Sequence, residues 1–295
     1  MKGKRYFTIG NLIFWILLVL LVLVCVPFFG NFFFNEKLVK EWEKELKTED
    51  KKGDEWDLEN EDTISVQGKI NIVWKWQDYD RKWHRISFYV DSAQLNQVPS
   101  FREEQDNVLN ILYAQLHDNS LPIMEPMIKA FKAEIKKQKY PRQEAYMKSM
   151  ELIASAVQYI PYTLVLGDEA DCPCDLPFGS FSADCKVQSD GRGCCSGVMP
   201  NGVYAPAEFM YHKKGDCDTR SLFAYTILNE LGFDVAVMVS IEEGHSVLGV
   251  HLKNKSFPSY GKDSSGKKYF LWELTARDFQ LGYDVKGNDW ESYLN

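Results

Sequence analysis

The sequence predicts an α+β protein in which a transmembrane helix precedes a β-hairpin, followed by helices leading into an antiparallel sheet. Three observations carry that expectation. Residues 6–35 hold no charged side chain. Apolar residues alternate at every second position between Ile64 and Val90. From Arg102 they recur at helical spacing, and alternation returns after Gly232. The chain has 295 residues, 45% hydrophobic, 14% aromatic and 26% charged. That composition excludes a disordered or low-complexity protein, and the length allows one or two domains with a real core.

The first element is the apolar run over residues 11–30, which meets the ~20 residues needed to cross ~30 Å of hydrocarbon. A cleaved signal peptide would be shorter and end on small residues, whereas this run exits through Phe28, Phe29, Phe32, Phe33 and Phe34. A lipid-modified cysteine would follow small residues, but Leu23 and Val24 precede Cys25. Lys2, Lys4 and Arg5 ahead of the run predict a cytoplasmic N-terminus, hence a single-pass membrane protein with an extracytoplasmic C-terminal domain. The formal charge of −8 divides accordingly: from Glu36 onward 31 basic residues face 42 acidic ones, a net of −11. So acidic a domain excludes nucleic acid as a partner, because phosphate binding needs a basic face.

Domain boundaries follow from composition. Residues 1–35 form the cytoplasmic tip and anchor, and residues 36–62 a charged tether whose first half is laced with i,i+4 pairs. Residues 63–101 hold the hairpin. Ile64, Val66, Ile70, Ile72, Trp74 and Trp76 alternate, Gln77, Asp78, Tyr79 and Asp80 break the pattern, and Ile86, Phe88 and Val90 resume it. The tryptophans could form a carbohydrate platform, but one packed hairpin face is the simpler reading. Residues 102–295 form the main domain, with a Cys-rich loop over 170–206. Val108, Ile111, Leu112 and Leu116 mark one helix, and Ile128, Phe131 and Ile135 a second. Met147, Met150, Ile153, Ala154, Val157 and Ile160 mark a third, stopped by Pro161. No repeat, phosphate-binding glycine loop, HExxH or dinucleotide fingerprint is present, and no cofactor or metal is expected.

The chemistry concentrates in Gly215-Asp216-Cys217-Asp218. Leu222, Ala224, Tyr225, Leu228 and Leu231 follow at helical spacing, so Cys217 opens a helix that Gly232 ends. A helix N-terminus carries about half a positive charge, which favours the thiolate that acyl transfer needs. Val235, Val237 and Val239 alternate as a strand, His245 opens the next, and Glu273 falls in the middle of a third over residues 269–275. In that arrangement Cys217 attacks, His245 exchanges the proton, and Glu273 fixes the imidazole and stabilises its cation. An oxyanion site needs the Cys217 N–H and one further donor, for which Gln158 and Tyr211 are the candidates. His251 lies about 20 Å beyond His245 at strand rise and is read as structural. His84, His117 and His212 show no partner pattern.

These segments resemble the transglutaminase-like superfamily of papain-like thiol enzymes. The resemblance covers residues 145–280. It rests on Gly215-Asp216-Cys217-Asp218 leading into a helix, Gly244-His245 opening a strand, and Trp272-Glu273-Leu274-Thr275, with Val157-Gln158-Tyr159-Ile160-Pro161-Tyr162 upstream. It implies a Cys–His–acid triad on a helix-plus-antiparallel-sheet core, serving peptidases, amidases, glycan-releasing amidases and glutamine crosslinkers. Ser246 stands where many members have an aromatic residue, and Glu273 where many have Asp. Glutamate suits the role, since it only orients and pairs with the imidazole.

The other cysteines fall outside that chemistry. Cys25 is read as lipid-facing. Cys172, Cys174, Cys185, Cys194 and Cys195 crowd a glycine-rich loop with C-x-C and adjacent-pair spacings, unlike the C-x₂₋₄-C of zinc sites. Two disulfides with one thiol left over fit better than a metal site, and the spare thiol could pair with Cys217. The expected function is therefore a membrane-anchored thiol peptidase or amidase acting on a protein or peptide at the cell surface. The rivals are a non-catalytic binding or scaffold module on the same fold, and a glutamine–lysine crosslinking acyltransferase.

Overall fold

The computed structural model describes residues 68–103, 108–165, 167, 195–196, 200–253, 255–283 and 285–295. All belong to one compact unit, Asp57–Asn295. Strands β1 (Lys69–Gln77) and β2 (Trp83–Asp91) pair antiparallel from Lys69↔Asp91 to Gln77↔Trp83. Ile72, Trp74, Trp76, Ile86, Phe88 and Val90 are all buried, as alternation requires of one hairpin face. Helix α1 (Ser92–Glu103) starts directly off β2, well before the helical spacing that begins at Arg102. Asp91 sets that start, its Oδ1 accepting from the Ala93 N–H at 2.8 Å.

The two short helices expected between residues 108 and 138 are one: α2 runs Leu109–Gln138, 30 residues, through Pro122 and Pro126. Helix α3 (Ala145–Tyr159) ends just before Pro161. A short parallel pair joins β3 (Leu164–Val165) to β4 (Cys195–Ser196); most of the expected Cys-rich loop over 170–206 between and after them lies outside the described residues. Helices α4 (Pro206–His212) and α5 (Cys217–Glu230) follow.

Helix α5 is the centre of the fold, with every residue from Thr219 to Leu228 buried. The hairpin covers it directly. Trp74 stacks on Phe223 of α5 at 5.3 Å between ring centroids, meets Phe209 and Phe131 edge-on, and donates from Nε1 to the Met210 carbonyl at 3.0 Å. The tryptophans therefore serve packing, and the hairpin shares one core with the helices.

The expected antiparallel sheet is corrected to a closed five-stranded barrel in the order β5 (Val235–Ser240), β6 (His245–Val250), β8 (Lys268–Trp272), β7 (Tyr260–Lys262), β9 (Glu291–Leu294). Strand β9, from the chain end, pairs antiparallel with β5 and parallel with β7, which closes the ring. Its interior holds Ala236, Met238, Val247, Tyr269, Leu271 and Trp290. Met238 fills the space left at Gly249, where a Cβ would come within 2.6 Å of its Cγ.

The membrane assignment is also corrected. The expected anchor over residues 1–35 and the tether over 36–62 lie outside the described residues. Among the described residues no helix is long and apolar enough to cross a membrane. The longest, α2, carries Asp118, Glu125, Lys129, Lys132, Glu134, Lys136 and Lys137, and burying so many charges in hydrocarbon is prohibitive. The single-pass topology and extracytoplasmic placement are accordingly not supported.

Candidate active site

Cys217 is the first residue of α5, and its two neighbours explain why the helix begins there. Asp216 caps it, with Oδ1 accepting from the Thr219 N–H and Oδ2 from the Val165 N–H, each at 3.3 Å. A Cβ on Gly215 would lie 2.5 Å from Thr219 Cγ2 and 2.9 Å from Phe209 Cδ2, so only glycine lets the cap close this tightly. Cys217 is a free, half-buried thiol whose Sγ lies 3.7 Å from Asp218 Oδ1. Burial pushes its pKa well above the ordinary thiol value. The charges of Asp218 and Asp216 push the same way and outweigh the Ser246 backbone N–H that favours the thiolate. The lowered pKa expected from the helix N-terminus is thus overridden, and the resting sulfur is protonated. Burial and Asp218 also raise Asp216 to about 7.

His245 opens β6, and its Nε2 lies 2.7 Å from Glu273 Oε2. The ladder pairs Leu248 with Trp272. Continued outward, that register sets Glu273 diagonally across from His245 on the same face, within reach of a long side chain. Strand β8 ends at Trp272, so Glu273 follows the strand and is not in its middle. This frees the chain to turn, and Thr275 returns both its N–H (2.9 Å) and its hydroxyl (2.7 Å) to Glu273 Oε1. The carboxylate is thereby held at both oxygens. Burial raises its pKa, but the His245 hydrogen bond and charge, with Thr275, bring it below the usual value. Burial lowers the His245 pKa, yet Glu273, Asp218 and Glu243 outweigh it and hold the imidazole above its ordinary value. Among the described residues, His245 Nδ1 has no hydrogen bond. Trp290 meets the ring edge-on at 6.1 Å and also lines an open groove with Tyr260, Lys262, Asp263 and Asp289.

Comparison with family models, with curated proteins and with solved structures finds no match. What the site can do therefore rests on its own geometry.

A residue outside the expected set organises it. Arg220 is completely buried. Its Nε donates to the Gly215 carbonyl at 2.9 Å, and Nη1 to Val157 (3.2 Å) and Leu274 (3.1 Å). Its Nη2 donates to Ile160 (2.8 Å) and Pro161 (2.6 Å). One guanidinium thus ties the Cys217 turn, the residue after Glu273 and the end of α3 together. Burial lowers its pKa to about 10, so it stays cationic at neutral pH. Gln158 completes the junction. Its amide nitrogen donates to the carbonyls of Glu273 (2.7 Å) and Phe279 (2.9 Å). Both hydrogens are spent there, which leaves none for an oxyanion. Tyr211 is exposed on α4, beside the His212 ring. The structure therefore joins His245 to Glu273, sets Cys217 on the helix that packs against β6, and gives the two oxyanion candidates other surroundings. Cys172, Cys174, Cys185 and Cys194 lie outside the described residues, and Cys195 is described only as backbone of β4.

Of the remaining histidines, His251 donates from Nδ1 to the Lys268 carbonyl at 2.8 Å, and His117 pairs with Thr226 Oγ1 at 3.0 Å. His84 has two carboxylate partners: Nδ1 meets Glu134 Oε1 and Nε2 meets Asp78 Oδ2, both at 2.9 Å. Sequence spacing could not reveal that pairing, because Glu134 lies 50 residues away.

Proposed function

We propose that the chain is a thiol enzyme that cleaves or transfers amide acyl groups of protein or peptide substrates through Cys217, His245 and Glu273. The observation that carries this reading is the 2.7 Å His245–Glu273 pair at the start of β6, a strand that packs on α5 and whose Ser246 N–H acts on the Cys217 sulfur. The order of cysteine, histidine and acid also matches the segments that resemble the transglutaminase-like superfamily.

In the forward step His245 Nδ1 takes the thiol proton, and the sulfur adds to the amide carbonyl. The imidazolium, paired with Glu273, then protonates the departing amine and leaves a thioester on Cys217. Water, deprotonated by the same imidazole, releases the carboxylic acid and restores the thiol; an amine in place of water gives transfer. The Cys217 N–H, in the first helical turn, has no intrahelical acceptor and suits the oxyanion. Because the base must be neutral, the raised His245 pKa predicts activity that climbs as pH rises through that value.

A peptidyl electrophile that mimics an amide tests the reading on the full chain under reducing conditions. Peptide mapping should place the adduct on Cys217, with labelling slowed in His245→Ala. No adduct at Cys217, or equal rates in wild type and His245→Ala, contradicts it.

A further inference from the structure

The turn between β1 and β2 touches the segment that follows Glu273. Three consecutive residues of that segment are held in succession. The Phe279 carbonyl accepts from the Tyr79 hydroxyl at 3.0 Å. Asp278 Oδ2 pairs with Arg81 Nη2 at 2.9 Å. The Arg277 guanidinium lies 3.8 Å from the centre of the Tyr159 ring, which Trp83 meets edge-on at 5.8 Å. Arg81 and Asp278 both occupy the left-handed region, with φ of 63° and 69°. Such backbone is costly for a residue with a Cβ, and it persists only where the surroundings over-determine it.

The surroundings here converge on one oxygen. Besides Tyr79, the Phe279 carbonyl accepts from Gln158 Nε2 at 2.9 Å and from Trp272 Nε1 at 3.0 Å. A carbonyl has two lone pairs, so three donors leave it no spare capacity. Gln158 and Trp272 are both buried, and both also act on the Tyr79 hydroxyl. The same Gln158 nitrogen donates to the Glu273 carbonyl at 2.7 Å. Residues 273 and 279 are thus tied to a single amide, and Tyr79 is the donor that the hairpin adds to the knot. The hairpin does not need that bond to stay attached, because Trp74 already seats it on Phe223 and the Met210 carbonyl. Resting on the thiol-enzyme reading, we propose that Tyr79 is a positioning residue, which acts through the Phe279 carbonyl to hold Glu273 against His245.

The hydroxyl suits this role. Burial pushes its pKa above the ordinary phenol value, so Tyr79 keeps the hydrogen it donates. Without it the Phe279 carbonyl retains two donors, but the turn gains freedom, and the shared Gln158 amide moves with it. Glu273 is then held less closely at 2.7 Å from His245 Nε2. Glu273, Asp218 and Glu243 favour the imidazolium, while burial opposes it. Of the three, Glu273 makes the hydrogen bond, so loosening it lets burial lower the imidazole pKa. The exposed Arg81–Asp278 pair contributes little by comparison.

The test is an NMR titration of the full chain labelled with ¹⁵N-histidine, with the His245 signal assigned by its loss in His245→Ala and His117 as internal reference. It needs neither substrate nor adduct, so it reads the His245–Glu273 pair whether or not the peptidyl electrophile labels Cys217. In Tyr79→Phe the His245 pKa should fall by about 0.5, part of the worth of one neutral hydrogen bond. The acid limb of Cys217 labelling should move to lower pH by the same amount, with His117 unmoved. Arg81→Ala should leave the His245 pKa in place. An unchanged His245 pKa in Tyr79→Phe overturns the proposal, and a lowered melting temperature with that pKa unchanged assigns Tyr79 to packing alone. A lowered His245 pKa in a chain that forms no Cys217 adduct supports the coupling and contradicts the thiol-enzyme reading instead.

Discussion

Among the described residues, two histidine–carboxylate clusters are built to opposite ends. His84, on β2, has both ring nitrogens on carboxylates, stacks on Trp76 and has no exposed side-chain surface. His245 has one nitrogen on a carboxylate, the other open, and a side chain 22% exposed. In both, carboxylates overcome burial and raise the imidazole pKa. Protonation is thus favoured equally in kind. What separates them is the free nitrogen: His84 has none with which to move a proton, whereas Nδ1 of His245 makes no hydrogen bond among the described residues. A shifted histidine pKa marks paired charge, and access decides whether that charge can work.

The comparison breaks most sharply by mutation of the open cluster. His245→Ala should slow labelling of Cys217 by about 10²–10⁴-fold, the usual worth of a positioned base, with the fold retained by circular dichroism. His84→Ala should leave the labelling rate of folded molecules intact. It should cost about 3–5 kcal/mol in denaturant unfolding, because Asp78 and Glu134 lose the cation between them. Gln158→Ala sits between these roles. Losing its two bonds to the Glu273 and Phe279 carbonyls should cost about 1–3 kcal/mol and slow labelling through a loosened Glu273.

Two smaller effects are set by pH. Since Glu273 raises the His245 pKa, Glu273→Gln should move the acid limb of the labelling profile to lower pH as burial takes over. The His84 pKa is likewise higher folded than unfolded. Its stabilisation is therefore complete below the ordinary histidine value and lost as pH rises through the folded one. Glu134 runs the other way: its lowered pKa gives stability that is lost as pH falls through the folded value. Melting temperatures of wild type and His84→Ala should hence converge toward alkaline pH. A constant gap would refute the charge account of that cluster.

The candidate triad was legible because each member carries its own local punctuation. Gly215 and Asp216 announce a helix start, Gly244 a turn before His245, and Trp272 to Thr275 a strand end. What could not be read joins distant segments. Arg220 falls at a buried helix position where a cation is unexpected, and its five acceptors are backbone carbonyls, which no residue pattern encodes. Barrel closure depends on Tyr260–Lys262 and Glu291–Leu294, three and four residues long with no alternation to mark them. The helix dipole was legible at Cys217, but the burial that outweighs it, with the opposing charges of Asp218 and Asp216, emerges only from the packing.

In the proposed reaction Cys217 forms an acyl-enzyme with help from His245 and Glu273. Intact-mass analysis after an acid quench tests it directly, with a nitrophenyl ester of an acylated amino acid as donor. One acyl adduct is expected, mapped to Cys217, removed by hydroxylamine and by time in water, and formed slowly in His245→Ala and Glu273→Ala. An adduct that maps elsewhere, or forms at the wild-type rate in both variants, contradicts it.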